Sequence, residues 1–495
     1  MGIPYYFSNL IKKYKNIIIN DLPKDISLYA LDFNGIIHPE AHKETNEQQL
    51  FINLWNKIIS YKTNFNPSTI LICIDGVAPI AKIIQQRKRR YLSIFKNKID
   101  NISSKWDTNA ISAGTSFMNN LDNFISYNIN LHIDKHSFIF DGSSNSGEGE
   151  HKIFHYLKSI DYDKSKAIII NGLDADLIIL SLLSNINNIY LMRENNDEII
   201  YLSIDNLKNS LIDELKPIWN IDNNIDIIES YCVMCSILGN DFIPNIITLN
   251  MKNKGLNKLI DFTSKAIKSY GSLVSNSKIN KNCLNDIFSY ISQTEDIDIF
   301  NEVSTVINKK PRDFTLNSQE YALKNKDNLL IDIYSNNKKW KYYYYKSLFD
   351  ININFDTSMI STIVETYING IYWTFNYYKN FNLNYNWFYP YNYSPTSKDI
   401  SNFLNVHNIK DIDNLGSFLP PKIQLFIILP IQSNHLLETH FKSFTTDFNK
   451  GFKHLFPTEF KIHTFLKYHL HDCLPVLPTI DIDEIIKINN ISDTI

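Results

Sequence analysis

Between Gly147 and Asp176 the chain reads GEGEHKIFHYLKSIDYDKSKAIIINGLDAD. Glu148 and Glu150 flank a glycine, and Asp174 and Asp176 follow an Asn171-Gly172 turn. Carboxylates brought together repel, so protons or cations must neutralise them. Two such pairs meeting in one crevice would make a hard-oxygen site for divalent ions, Mg²⁺ or Mn²⁺. An Asp-x-Asp that follows a strand is by itself more often a helix N-cap than a ligand pair. The elements around it decide which reading holds.

Those elements are legible from hydrophobic runs. Leu28–Asp32 (LYALD), Thr69–Asp75 (TILICID), Ser137–Asp141 (SFIFD) and Ala167–Ile170 read as buried strands, followed by Asn188–Met192 and Glu198–Leu202. Gln48–Ser60 reads as a helix between the first two. Strands alternating with helices predict an α/β fold with a mainly parallel central sheet flanked by helices. In such sheets ligands bind beyond the carboxyl ends of the strands. Asp32, Asp75 and the Asp174/Asp176 pair all stand at such ends, which favours the metal reading. The helical run Ile227–Pro244 delivers a further acid, Asp241, from its C-terminal turn.

Directly after Asp75 comes IAKIIQQRKRRYLSIFKNK, residues 80–98, with seven basic residues and no acid. On a helix, Lys82, Gln86, Arg89, Arg90 and Ser93 share one face, and Ile84, Tyr91 and Phe95 face the opposite way. Arg87 and Lys88 lie nearer the packed side and are expected to snorkel outward. The chain has only five arginines, three of them here. Arginine's planar fork suits phosphate. A phosphate receptor beside a metal cluster indicates a phosphodiesterase acting near a chain end.

The remaining composition sets bounds. The 495 residues carry a net charge of −3, so any nucleic-acid contact must come from a local basic patch. Five scattered cysteines, with Cys232 and Cys235 as a lone CxxC pair, read as core thiols rather than structural zinc. No apolar run is long enough to span a bilayer, and no secretory signal is recognisable. The expectation is an intracellular, cytoplasmic monomer without a membrane partner. Residues 1–252 read as the acid-bearing domain, 253–335 as a polar connector with some helix, and 336–495 as a second, mostly helical region rich in aromatics. Most of those aromatics should pack in the core; one or two could stack on bases.

Taken in order, MGIPYYF, LDFNGIIH (31–38), DGVAP with QQRKRR (75–90), GEGEHKI (147–153), GLDADLI (172–178) and GNDFIP (239–244) resemble the signatures of the XRN family of 5′→3′ exoribonucleases. YINGIYWTFNYY (367–378), NWFYPYNYSP (386–395), LFPTEF (455–460) and LPTIDIDEI (477–485) extend the resemblance into the second region. The resemblance implies a catalytic domain of PIN-like, flap-endonuclease-like fold. It implies two-metal hydrolysis of 5′-monophosphorylated single-stranded RNA, with two Mg²⁺ ions for which Mn²⁺ can substitute. Asp32, Asp75, Glu148, Glu150, Asp174, Asp176 and Asp241 fall on the family's metal-binding acids. Lys82, Gln86, Arg89 and Arg90 fall on its 5′-phosphate pocket, and His38 and Trp373 on the pair that stacks the leading bases. Such an enzyme proceeds processively and depends on a decapping activity to expose its substrate. Ile80 stands where the family often has a basic residue, and Asn145-Ser146 where Val-Pro is usual. A flap-type 5′ DNA nuclease and a catalytically inactive RNA-binding scaffold remain alternatives.

Overall fold

The structure is a computed structural model. It describes residues 3–44, 46–102, 106–172, 174–195, 198–313, 315–379, 383–409, 416–447 and 451–492. Met1, Gly2 and Leu173, which belong to two of the motifs above, lie outside the described residues.

Seven strands form the central sheet: β1 (Ile18–Ile19), β2 (Ile26–Asp32), β3 (Thr69–Cys73), β4 (Phe138–Asp141), β5 (Ala167–Asn171), β6 (Ile189–Asn195) and β7 (Glu198–Ser203). Their order is β1-β7-β6-β5-β2-β3-β4. The five strands β2 to β6 pair in parallel, and β7 with β1 closes one edge antiparallel. The mainly parallel α/β sheet expected from the sequence is therefore present. The helices woven through it are α1 (Tyr6–Lys13), α2 (Asn34–Lys43), α3 (Glu47–Phe65), α4 (Ile80–Ile99), α5 (Ser116–Leu131), α6 (Gly149–Ser159), α7 (Ala175–Leu183), α8 (Ile204–Trp219) and α9 (Asn224–Ser236).

Strand β2 shows why the sheet must be covered twice. Leu28 and Ala30 pack into the core on one face, while Tyr29 and Leu31 pack into the core on the other. A strand apolar on both sides is stable only between two layers. From β2 the chain moves to β3 on one side and later to β5 on the other. That reversal opens a crevice at the carboxyl ends of the three strands.

Among the described residues ten more helices follow: α10 (Gly255–Tyr270), α11 (Lys281–Asn308), α12 (Tyr321–Lys324), α13 (Asn328–Ser335), α14 (Trp340–Phe349), α15 (Thr357–Lys379), α16 (Ser397–Val406), α17 (Pro421–Ile428), α18 (Thr439–Thr446) and α19 (Ile482–Ser492). The stretch read as a polar connector holds four of them. Leu256, Leu259, Leu284, Phe288, Ile291 and Ile333 share one core with β2 and α15. Its high Lys and Asn content lies on the solvent faces and conceals the apolar spacing beneath. Among the described residues no helix is long and apolar enough to cross a membrane.

Candidate metal centre and 5′-phosphate pocket

The crevice at β2 gathers the acids. Asp32 ends β2, and Asp75 follows β3 by two residues. Two loops are stitched together there: Gly76 N–H donates to the Gly147 carbonyl at 2.9 Å, and Gly147 N–H returns a bond to Val77 at 2.8 Å. The stitching brings the start of α6 onto Asp75, whose Oδ1 accepts the Gly149 N–H at 2.6 Å. A Cβ on Gly149 would lie 2.8 Å from Asp32 Oδ1 and 3.3 Å from Asp75 Oδ1. Only glycine lets these carboxylates close in, which explains the Glu-Gly-Glu spacing.

Asp174 is the N-cap of α7, its Oδ1 accepting the Leu177 N–H at 2.9 Å. The cap and the cluster are not alternatives, because its charge also bears on Asp32 and Glu150. Asp241 arrives differently from expectation. Helix α9 ends at Ser236, and Asp241 sits in the following loop. Gly239 at φ 86° and an Asn240 side chain that accepts from Phe242 and Ile243 N–H shape that loop. The apolar run continues past the helix because the loop is buried, so hydrophobicity hid its end.

Electrostatics bind the seven into one system. Burial raises the Asp32 carboxyl well above its usual range, and the charges of Asp75 and Asp174 raise it further. Burial and Glu148 raise Asp75. Burial, Asp174 and Asp176 raise Glu150. Burial, Asp241 and Asp174 push Asp176 up to about 7. Lys82 reverses the trend locally: its Nζ lies 2.6 Å from Glu148 Oε2 and 3.0 Å from Asp241 Oδ2. Burial disfavours charge on Glu148 and Asp241 too, but the Lys82 ammonium, together with His151 and the Tyr377 hydroxyl at Glu148 and with Arg89 at Asp241, holds both below the ordinary range. A buried hard-oxygen cluster whose members resist losing protons together fits divalent cations. The residues present therefore suit the metal expected from the sequence.

Three residues given no role from the sequence belong here. His151, Glu148 and Glu150 each offer a ligand atom, all within 4.8 Å of one another. Tyr377 and Tyr378 on α15 reach across from the helical region. Tyr377 OH donates to Glu148 Oε1 and Tyr378 OH to Asp176 Oδ1, both at 2.6 Å. The His151 ring lies on Tyr377 with centroids 3.9 Å apart. His151 directly follows Glu150 in GEGEH, and the tyrosines close the YINGIYWTFNYY run. Adjacency to the acids could have revealed the histidine; only the fold reveals the tyrosines.

Helix α4 divides the predicted phosphate pocket. Lys82 faces the acids, while Arg89 is exposed and its charge bears on both Asp241 and His38. Arg90 is anchored, donating to Ser112 Oγ at 2.7 Å and to the Asn109 carbonyl at 3.4 Å. Gln86 is partly buried on the same helix. His38 is half-buried, and burial together with Arg89 and Arg90 lowers its imidazole to about 4. It is neutral at physiological pH and presents a ring beside the arginines.

One expectation is corrected, and one residue lies deeper than its assigned role suggests. Arg87 does not snorkel outward. It is buried, with Nη1 donating to the Pro478 carbonyl at 2.8 Å and Nη2 to Leu455 at 2.6 Å. Its position on the apolar stripe left it no way out, and two backbone acceptors satisfy it instead. Trp373 is 0 % exposed. It stacks on Tyr377 and Trp387 at 4.9 and 5.1 Å, and its Nε1 donates to the Asn384 carbonyl at 2.8 Å. The ring thus packs among aromatic neighbours of the helical region rather than standing open beside His38.

A mainly parallel sheet with an acid-lined crevice at its switch point is the architecture to be placed. The model described as "XRN 5'-3' exonuclease N-terminus" matches residues 1–195, and that described as "Xrn1 helical domain" matches 219–330 and 323–490. The chain belongs to the XRN family. Over 97% of its length it is 25% identical to the 5'-3' exoribonuclease 1 of Homo sapiens, of which it spans 33%. Over 97% it is 22% identical to the 5'-3' exoribonuclease 2 of Gallus gallus, of which it spans 69%. The catalytic core of Rad2 in complex with a DNA substrate is similar at 13% identity with a TM-score of 0.32, covering 66% of this chain and 83% of that one.

Proposed function

We propose that the chain is a 5′→3′ exoribonuclease that hydrolyses 5′-monophosphorylated single-stranded RNA to mononucleotides in a processive, Mg²⁺-dependent reaction. The observation that carries this reading is the buried system of seven carboxylates joined to α4 through Lys82. The names of the relatives, 5'-3' exoribonucleases, supply the polarity and the substrate class.

Asp32, Asp75, Glu148, Glu150, Asp174, Asp176 and Asp241 would hold the divalent ions, with His151 at their margin. Bound there, such ions supply an activated water and stabilise the leaving oxygen of an in-line displacement. The protein's own part is to place the strand. Arg89 offers the terminal phosphate a bidentate donor fork. Lys82 can exchange a carboxylate for a phosphate oxygen without moving far, because it already bridges Glu148 and Asp241. Neutral His38 offers a face for the first base. A terminus blocked by a cap lacks the free phosphate that Arg89 would grip, so decapping would have to come first.

The test is degradation of end-labelled RNA carrying a 5′-hydroxyl, a 5′-monophosphate or a cap, alongside a DNA flap. The monophosphate should be degraded fastest, and Arg89→Ala should level the phosphate and hydroxyl ends. Preferential cleavage of the DNA flap, or binding without Mg²⁺-dependent mononucleotide release, overturns the reading.

A further inference from the structure

We propose that Tyr5, Lys252, Lys309 and Tyr468 form a second contact site for single-stranded RNA, apart from the acid cluster. The proposal rests on the substrate class inferred above. Four distant segments of chain meet at this point. Lys252 Nζ lies 4.7 Å from the ring centroid of Tyr5 and 5.3 Å from that of Tyr468. Lys309 Nζ lies 4.5 Å from the Tyr468 ring. Tyr5, Lys252 and Lys309 are exposed and Tyr468 is half-exposed. Among the described residues neither lysine is in an ion pair with an acid. The nearby acids are engaged elsewhere: Glu320 accepts the Arg312 N–H at 2.7 Å, and Glu302 accepts from the Asn250 side chain at 3.5 Å.

Backbone conformation singles out the same place. Twelve non-glycine residues among those described have positive φ. Seven are Asn or Asp, which tolerate it, and an eighth, Ser277, sits in the tight turn between Val274–Ser275 and Lys278–Ile279. The other four are Tyr5 (φ 64°), Lys254 (φ 57°), Glu320 (φ 48°) and Leu466 (φ 56°). Each borders this cluster: Tyr5 is part of it, Lys254 and Leu466 lie two residues from Lys252 and Tyr468, and Glu320 N–H donates to His469 Nδ1 at 3.2 Å. Strain held by bulky residues concentrates where a surface must present particular groups. Here it presents aromatic faces and unpaired ammonium groups together.

That pairing is the chemistry of a sequence-tolerant single-strand platform, with bases on the rings and phosphates on the cations. The platform is mechanically joined to the acid site. Tyr6, next to Tyr5, bonds through its hydroxyl to Tyr231 OH at 3.0 Å. Tyr231 lies on α9, which leads into the Asp241 loop, and Lys252 follows that loop. A strand whose first nucleotide sits among the acids could thus be gripped again farther along.

The experiment measures binding, in EDTA, of a 5′-phosphorylated oligouridylate of about twenty nucleotides and of the trinucleotide. Wild type is compared with Lys252→Gln/Lys309→Gln and with Tyr468→Leu. Each variant should bind the long strand about tenfold more weakly and the trinucleotide equally well. The lysine variant should also show a log-affinity versus log-salt slope shallower by about 1.4, the value for two single-strand phosphates. An unchanged long-strand affinity overturns the proposal and leaves the cluster as a brace between segments. So does a matched loss for both lengths, or a wild type that binds both lengths alike. Failure of wild type to hydrolyse RNA would sink the exoribonuclease reading while leaving these binding differences measurable.

Discussion

Asp174 has two tasks: its side chain caps α7, and its charge adds to the acid cluster. Asparagine caps a helix as well as aspartate does. Asn at 176 would likewise keep an acceptor for Tyr378 while removing a buried charge. The double substitution Asp174→Asn/Asp176→Asn should therefore abolish mononucleotide release by orders of magnitude without lowering the melting temperature. RNA retention in a gel shift should persist, since the α4 cations are untouched. At this scale the sequence was most informative about acids. Each acid alone could be read as a cap or turn residue; it was their convergence at strand ends, beside a basic helix, that singled them out. It was least informative about depth. Periodicity placed Arg87 on a stripe and Trp373 on a helix, but not how deep either lies, and for Arg87 that depth is decided by residues hundreds of positions away. Leu455 and Pro478 close over Arg87, and Trp387 closes over Trp373.

Helix α15 makes the helical region part of the acid site. Its hydroxyls at 377 and 378 fix one oxygen each on Glu148 and Asp176. A hydrogen bond to a charged partner contributes about 1.5–3 kcal/mol. Tyr377→Phe/Tyr378→Phe should leave the aromatic packing intact but weaken Mn²⁺ binding about tenfold, read by metal titration of the folded protein. Unaltered Mn²⁺ affinity would show that the tyrosines merely fill space. A second element junction predicts a pH effect. Glu295 on α11 is buried and accepts the Ser397 N–H at the start of α16 at 2.7 Å. Burial, against the opposing hydrogen bonds, raises its carboxyl from 4.5 to about 7. The folded chain keeps this proton up to about pH 7, whereas the unfolded chain releases it near 4.5. Stability therefore falls as pH rises between those values, and the loss is complete above 7. Glu295→Gln should remove that slope and raise stability at pH 8 by roughly 2 kcal/mol, while matching wild type below pH 4. Denaturant melts at the two pH values check it. The strands and long helices of both regions could be read from hydrophobic period. The helices of 253–335 were hidden by polar composition, and β1, two residues long, has no period to read.

Across the whole molecule, the acid crevice is roofed by α15 and the basic helix α4 is clasped by the chain's last third. Packed against α4 are Ile423, Phe426 and Ile480, in a core shared with Ile80 and Ile83. Among the described residues, the two carbonyls that Arg87 bonds both come from the chain's last third. If those carbonyls were removed, a buried guanidinium would lose both of them and keep only Tyr91 beside it, at a cost of several kcal/mol. A protease cut between α15 and α17 should accordingly release nothing. The two pieces should elute together from a sizing column in native buffer and separate only in denaturant. Arg87 therefore acts as a rivet through the molecule. Chains cut short before Pro478 should collect in inclusion bodies, and complementation by two co-expressed halves would be the workable route to dissecting the chain.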